Sequence, residues 1–152
     1  MGQISAALQS GGLPATAADF ESVALMLREV TMQAAVLGSV PMFEQTASIN
    51  SAALGHALAQ CLGERKAALM RRHGAVTVAA SVRDAFVQAV YLEENAHRQY
   101  LALQIGTPQP LSDEECATIG RNLSRPALLQ KVWDYHAAKY LRSSGTSVKA
   151  AR

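Results

Sequence analysis

The sequence is poor in charged residues and in cysteine, and it has no long apolar run. Asp, Glu, Lys and Arg make up 17% of its 152 residues, against roughly 25% in an average soluble domain. This deficit predicts that another subunit covers part of the surface. No stretch approaches the roughly 20 apolar residues that span a bilayer, and the first residues lack the basic end and apolar stretch of a signal peptide. We therefore expect a soluble, cytoplasmic protein without a membrane partner.

The scarcity and scatter of charge also exclude a nucleic acid as partner. The net charge is +2, and the basic residues are spread out or stand beside acids, so the sequence has no basic footprint. The densest basic pair, Arg71-Arg72, has no neighbouring aromatic residue for stacking against bases, although it could hold one anionic group. Cys61 and Cys116 form neither a disulfide framework nor a zinc-ribbon spacing. They are interpreted as buried or neutral thiols in a reducing compartment.

The chain length suits one domain, and the patterns along it mix helices with short strands. Residues 1–16 show little periodicity and are interpreted as a flexible lead-in. Residues 17–142 are interpreted as the folded domain, and residues 143–152 as a disordered tail. A proline inside the short apolar run 40–43 predicts an edge strand at best. The runs 67–70 and 75–79 predict two strands that meet at His73-Gly74.

Capping and stop signals place most of the helix ends. They lie at Asn50, Gly63, Ser81, Gly106 and Ser112. A further helix is predicted to start at Pro126. The long helix that follows Ser81 is predicted to bury one apolar face, formed by Val82, Phe86, Ala89, Val90, Ala96, Tyr100 and Leu101. The mixture of helices and short strands predicts an α/β or α+β fold with a small sheet.

Taken in order, these pieces resemble the class II aldolase/adducin family. The resemblance rests on Leu62-Gly63, Leu69-Met70-Arg71, His73-Gly74, Val76-Thr77-Val78, Ser81 and Tyr91-Leu92-Glu93. It runs from about Ala35 to Glu115. It implies a three-layer α/β (α+β) fold around a small, mainly antiparallel sheet, of which this chain would hold an incomplete, later part. It also implies a homo-oligomer, usually a tetramer, with active sites at the subunit boundaries.

The resemblance also implies a chemistry. In family enzymes three histidines hold a divalent metal, commonly zinc, beside a carbon–carbon bond that is broken or formed. His73, in the His-Gly turn, occupies the position of the last of these ligands. The expected function is therefore metal-dependent aldol cleavage or formation on a small phosphorylated sugar or hydroxy acid, in carbohydrate metabolism. The sequence assigns no catalytic base and no substrate-binding residue.

The sequence departs from the family pattern ahead of the His-Gly turn. The family's other two metal ligands form a His-x-His pair, which occurs nowhere in this chain. Residues 1–34 contain no histidine, and Asp19, Glu21 and Glu29 match no motif for the acidic base. The chain is thus either a truncated product or a reduced protein in which the chemistry is impaired. Two alternatives remain: a non-catalytic scaffold or oligomerisation protein of the adducin type, and a decarboxylase or oxygenase on the same fold.

Without the resemblance, His73 would be a turn histidine that hydrogen-bonds locally. With it, we favour an inherited ligand position, although one histidine cannot complete a site that needs three protein ligands. Arg71 and Arg72 flank the turn, and they either hold an anionic substrate or are simply solvated.

The remaining histidines have simpler interpretations. His56 falls on the polar side of its helix and is expected to be a solvated surface residue. His97 follows Glu93 by four residues, so the two could pair on one helix face. This pair is interpreted as a surface or subunit-boundary feature. His136 shares an aromatic stripe with Trp133, and a core or interface role is the default.

The tyrosines include candidates for a proton donor. Tyr135 and Tyr140 lie in the C-terminal region, from which family enzymes often supply a tyrosine across a subunit boundary, but neither aligns securely. Tyr91 and Tyr100 are expected to serve helix packing instead.

Overall fold

The computed structural model describes residues 29–143. The predicted lead-in (1–16), residues 17–28 of the predicted domain and residues 144–152 of the predicted tail lie outside this range. The elements in chain order are α1 (Ala34–Leu37), β1 (Met42–Phe43), α2 (Ala52–Leu62), β2 (Ala67–Met70), β3 (Gly74–Thr77), α3 (Val82–Ile105), α4 (Asp113–Leu123) and α5 (Pro126–Ser143). Helices with one small sheet confirm the predicted α/β class.

The sheet has the strand order β1-β2-β3. β2 and β3 form an antiparallel hairpin in which Met70 is opposite Gly74. β1 runs parallel to β2, with Phe43 opposite Met70, so the sheet is mixed. Pro41 lies just before β1, and its carbonyl accepts a hydrogen bond from the Leu69 amide at 2.8 Å. The predicted edge strand is confirmed, because the proline stands where its missing N–H is not needed.

Most of the helix ends lie where the capping signals predict. The Ser81 side chain accepts a hydrogen bond from the Asp84 amide, Gly106 follows the last residue of α3, and Ser112 and Glu115 form a capping box. The prediction that Asn50 caps α2 is wrong by one residue: the side chain of Ser51 accepts a hydrogen bond from the Leu54 amide. Both residue types are good N-caps, so the sequence alone does not separate adjacent candidates.

The core forms where α1 and the sheet meet α3. Its buried members are Val36, Leu37, Ala67, Val87, Tyr91 and Leu92. Helix α4 approaches α1 closely at Gly120, where an added Cβ would lie 2.6 Å from the carbonyl oxygen of Ala35. A side chain at this position would push the two helices apart, so Gly120 sets their separation.

The predicted buried face of α3 is wrong. The buried residues of this helix are Val87, Gln88, Tyr91, Leu92, Asn95 and Gln99, whereas Val82, Phe86 and Leu101 of the predicted face are exposed. The polar members are buried because main-chain and side-chain groups next to them supply hydrogen-bond partners. Apolar periodicity therefore points to the wrong side of this helix. None of the helices within residues 29–143 has the length and apolarity needed to cross a bilayer.

Candidate functional site

The topology of the sheet brings two connecting segments together. Because β1 and β2 are parallel and in register at Phe43 and Met70, their C-terminal ends lie at the same edge of the sheet. The loop that follows β1, residues 44–50, therefore runs beside the turn that follows β2, residues 71–73. His73 lies in this turn, so the predicted ligand position faces the loop.

The turn has an unusual backbone. The His73 amide donates to the Met70 carbonyl at 2.9 Å, which closes the hairpin between β2 and β3. Arg72 has a φ of 64° and Gly74 has a φ of 114°. The left-handed region is open to glycine but is disfavoured for arginine by about 1 kcal/mol or more. The hairpin holds Arg72 in this conformation and fixes the direction in which the neighbouring His73 side chain leaves the backbone.

The ring of His73 contacts the loop. Its Nε2 atom lies 2.8 Å from the carbonyl oxygen of Thr46. A carbonyl oxygen can only accept, so Nε2 must carry the hydrogen and donate it. This hydrogen bond is not the local one of an ordinary turn histidine, because it joins residues 27 positions apart in sequence.

The arginines beside His73 also make contacts with other residues. The Arg71 guanidinium lies 4.0 Å from the Glu44 carboxylate, with both side chains partly exposed, and the Arg71 amide donates to the Phe43 carbonyl at 3.0 Å. Such a surface ion pair contributes roughly 0–1 kcal/mol. Arg72 is exposed and also has an interaction partner. The nearby carboxylate partly neutralises the positive charge that the sequence offered to an anionic substrate.

The residues of 29–143 do not fit a complete metal site of the family type. A three-ligand centre needs several donor side chains within reach of one ion. No group of three or more His, Cys, Asp or Glu residues comes together in this part of the chain. His73, the predicted metal ligand, therefore stands without companion ligands among these residues, and its Nε2 hydrogen is donated to Thr46.

The other histidines are spread over three helices. His56 is exposed on α2, and His97 is exposed on α3, as is its potential partner Glu93. His136 on α5 is half-buried, and its ring centroid lies 5.5 Å from that of Phe86 and 5.2 Å from that of Tyr135. None of these three histidines is placed beside His73 by the topology of the sheet.

The tyrosines divide into buried and exposed groups. Tyr91 is buried in the core, and its pKa is raised, first by burial and then by the charge of Glu94, so the phenol stays protonated. This agrees with its predicted role in packing. Tyr135 and Tyr140 on α5 are 58% and 70% exposed.

An open groove between α3 and α5 is a feature that the sequence did not predict. The Phe86 and Trp133 rings meet edge to face, with centroids 5.5 Å apart, beside a groove of about 620 Å³. It is lined by Phe86, Trp133, His136, Ala137, Lys139, Tyr140, Leu141 and Ser143. The aromatic stripe on α5 was the sequence signal for this surface. The groove was missed from the sequence because Phe86 was assigned to the buried face of α3. Among the described lining residues, Phe86 belongs to α3 and the others belong to α5.

The amino-acid sequence matches known proteins. Residues 6–100 match the family model described as the class II aldolase and adducin N-terminal domain, and the chain therefore belongs to this family. It is 30% identical over 106 residues to a protein of Rhodococcus jostii (strain RHA1) named 3,4-dihydroxyphthalate decarboxylase. The match covers 67% of this chain and 42% of that relative, so the chain spans less than half of the relative's length.

Proposed function

We propose that the chain is a self-associating scaffold of the class II aldolase/adducin fold, and that a second copy covers the α3–α5 groove. The observation that carries this proposal is the concentration of exposed aromatic side chains around that groove. Phe86 and Tyr140 are exposed, and they line the groove together with half-buried Trp133. Contiguous exposed apolar surface of this kind marks interaction sites in soluble proteins.

A second copy is the occupant that this surface suits best. In a twofold contact the same patch meets itself, so it must carry both a recess and a projection. The groove supplies the recess, and the largely exposed ring of Tyr140 at its border supplies the projection. Helix α5 also exposes Lys131, Asp134 and Lys139. Charges of both signs on one helix can face each other across a twofold axis.

The test compares two tyrosines of α5 by sedimentation velocity at micromolar concentration of the full chain. Tyr140→Glu places a charge at the groove, whereas Tyr135→Glu places the same charge on the same helix outside the groove lining. We expect the wild type and Tyr135→Glu to associate and Tyr140→Glu to sediment as a monomer. A folded wild-type monomer at these concentrations, or equal loss of association in both variants, would overturn the proposal.

A second candidate is a metal-dependent carbon–carbon lyase, with zinc as the metal. The specific observation in its favour is the similarity to a protein named as a decarboxylase. The resemblance to the family also assigns His73 of the His-Gly turn as a metal ligand. Aldol cleavage and decarboxylation share one step: a carbon–carbon bond breaks, and the electron pair left on carbon takes up a proton. The remaining ligands would have to come from outside residues 29–143 or from a second copy.

Substrate assays distinguish the two candidates. The full chain would be incubated with zinc and either 3,4-dihydroxyphthalate or a small phosphorylated hydroxy-ketone, and release of CO₂ or of an aldehyde would be followed. Zinc-dependent turnover that disappears in His73→Ala would establish the lyase. Absence of turnover in an assembled, zinc-supplied protein would favour the scaffold. Both candidates are assigned to the cytoplasm, where Cys61 and Cys116 would persist as free thiols.

A further inference from the structure

The loop formed by residues 44–50 is exposed along its whole length. Its ends are fixed by β1 and by the Ser51 cap of α2. Between these ends, two side chains of the β2–β3 turn reach it: Arg71 approaches Glu44 at 4.0 Å, and His73 contacts the Thr46 carbonyl at 2.8 Å. The hydrogen bond from His73 is the shorter of the two contacts, and it reaches the middle of the loop.

The hydrogen bond to Thr46 decides which ring nitrogen of His73 is free. Since the carbonyl oxygen carries no hydrogen, Nε2 is the protonated nitrogen, and a protonated ring nitrogen has no lone pair for a metal ion. In the neutral ring, the lone pair is on Nδ1. Closure of the loop and coordination through Nε2 therefore exclude each other.

We propose that His73 is a latch that fastens the 44–50 loop over the β2–β3 turn. The loop then has two states. In the latched state, Nε2 of His73 donates to Thr46 and the middle of the loop is held in place. In the open state, this hydrogen bond is broken, the middle of the loop is no longer held by His73, and Nε2 is available to another partner. The ring to which the resemblance assigns a ligand position thus controls a neighbouring loop in this chain.

The first measurement is the tautomer of His73 in the wild-type chain. Nitrogen NMR of the histidine-labelled protein, at a pH where the ring is neutral, separates the two tautomers, and the His73→Gln variant assigns the signal. We expect the hydrogen on Nε2. A hydrogen on Nδ1 would overturn the proposal, because Nε2 could not then donate to Thr46. This measurement needs no destabilising substitution.

The second measurement follows the loop itself through backbone order parameters of residues 45–49. Values near 0.85 indicate a rigid backbone, and values below about 0.6 indicate a flexible one. We expect rigid values in the wild type and flexible values in His73→Ala. His73→Gln should keep the loop rigid, because its terminal amide can donate to the same carbonyl but is not an imidazole ligand.

The control is His56→Ala, which removes an exposed histidine from α2 and should leave the loop unchanged. Order parameters in α3 show whether each variant remains folded. A loop that stays equally rigid in folded His73→Ala would overturn the latch. If that variant loses order throughout, the wild-type tautomer and the His73→Gln loop decide the question.

Discussion

The inner and outer faces of α3 both depart from those of an ordinary amphipathic helix, since polar residues are buried on one and apolar residues are exposed on the other. On the inner face, polar Gln88, Asn95 and Gln99 are buried beside Val87 and Leu92. The outer surface exposes a separate apolar set, formed by Val82, Phe86, Leu101 and Ile105, the last of them 91% exposed. Buried polar groups are tolerated only where they find hydrogen-bond partners, and large exposed apolar groups often mark a contact with another molecule.

On its inner face, α3 contacts its neighbours through side-chain amides as well as through apolar residues. The Gln88 amide, with its nitrogen directed toward the sheet, lies 2.9 Å from the Val78 carbonyl and 3.2 Å from the Lys66 carbonyl. The Asn95 side-chain oxygen accepts from the amide and the hydroxyl of Thr31 at 3.2 and 3.1 Å. Gln88 thus ties the helix to the ends of β2 and β3, and Asn95 ties it to the segment that leads into α1.

The largest change in unfolding free energy that we expect comes from a substitution on the inner face of α3. Gln88→Leu introduces an apolar side chain of similar size and removes the donor for the carbonyl oxygens of Val78 and Lys66. The loss should lower the free energy of unfolding by about 1 kcal/mol, because the Val78 carbonyl loses this donor while the Lys66 carbonyl keeps its hydrogen bond from the Val78 amide at 2.8 Å. Urea unfolding followed by circular dichroism measures this change.

The matched control is Gln104→Leu on the same helix. Gln104 is exposed and makes one long contact, 3.4 Å to the Tyr100 carbonyl, so its replacement should change stability by less than about 0.5 kcal/mol. Equal effects at the two positions would mean that burial of the Gln88 amide does not stabilise the fold. A more stable Gln88→Leu would show that the inner face prefers apolar contact after all.

A smaller change in unfolding free energy is expected from a substitution on the outer face of α3. Ile105→Gln removes an apolar side chain that is 91% exposed, so it should leave the unfolding free energy within about 0.5 kcal/mol of the wild type at low protein concentration. The unfolding free energy of this variant would be measured at two protein concentrations. A loss greater than 1.5 kcal/mol in the dilute sample would mean that this face is covered within a single chain, and it would remove the contrast between the two sides of α3.

The two faces also show how far the sequence could predict this fold. Helix ends and strands were predictable because their signals are local: Ser81 and Ser112 are followed at the right spacing by the residues that complete their caps. The buried side of α3 was not predictable from periodicity. Which face is buried depends on carbonyl groups that other elements bring to Gln88 and on Thr31, 64 positions away from Asn95.

The candidate site also combines features that could be predicted from the sequence with features that could not. The position of His73 in a turn between two strands was predicted from neighbouring residues, and the hairpin confirms it. Its contact with Thr46 could not be predicted, because a backbone carbonyl has no sequence signature and the two residues meet only when β1 pairs with β2. The α3–α5 groove likewise requires two helices to pack, and neither helix reveals it alone. The role of His73 as a metal ligand stays a prediction.

The smallest effect concerns the first turn of α3, where the inner and outer faces begin. The pKa of Asp84 lies below its ordinary value of 3.8, first because the Arg83 guanidinium donates to it at 2.8 Å and then because of Ser81. Arg83 also donates to Gln130 of α5 at 2.8 Å. The Asp84 carboxylate therefore helps to hold a side chain that links the two helices of the groove.

The sign of the pH dependence follows from that lowered pKa. The folded state binds the proton less readily than the unfolded chain, so the contribution of Asp84 is present above pH 3.8 and is lost as the pH falls through the lower, folded-state pKa. Unfolding free energies measured on both sides of this value should decline toward acid in the wild type. The decline should be shallower in Asp84→Asn. Arg83→Gln, which removes the donor, should flatten it to a similar degree. A wild-type slope in both variants would mean that this pair does not stabilise the start of α3.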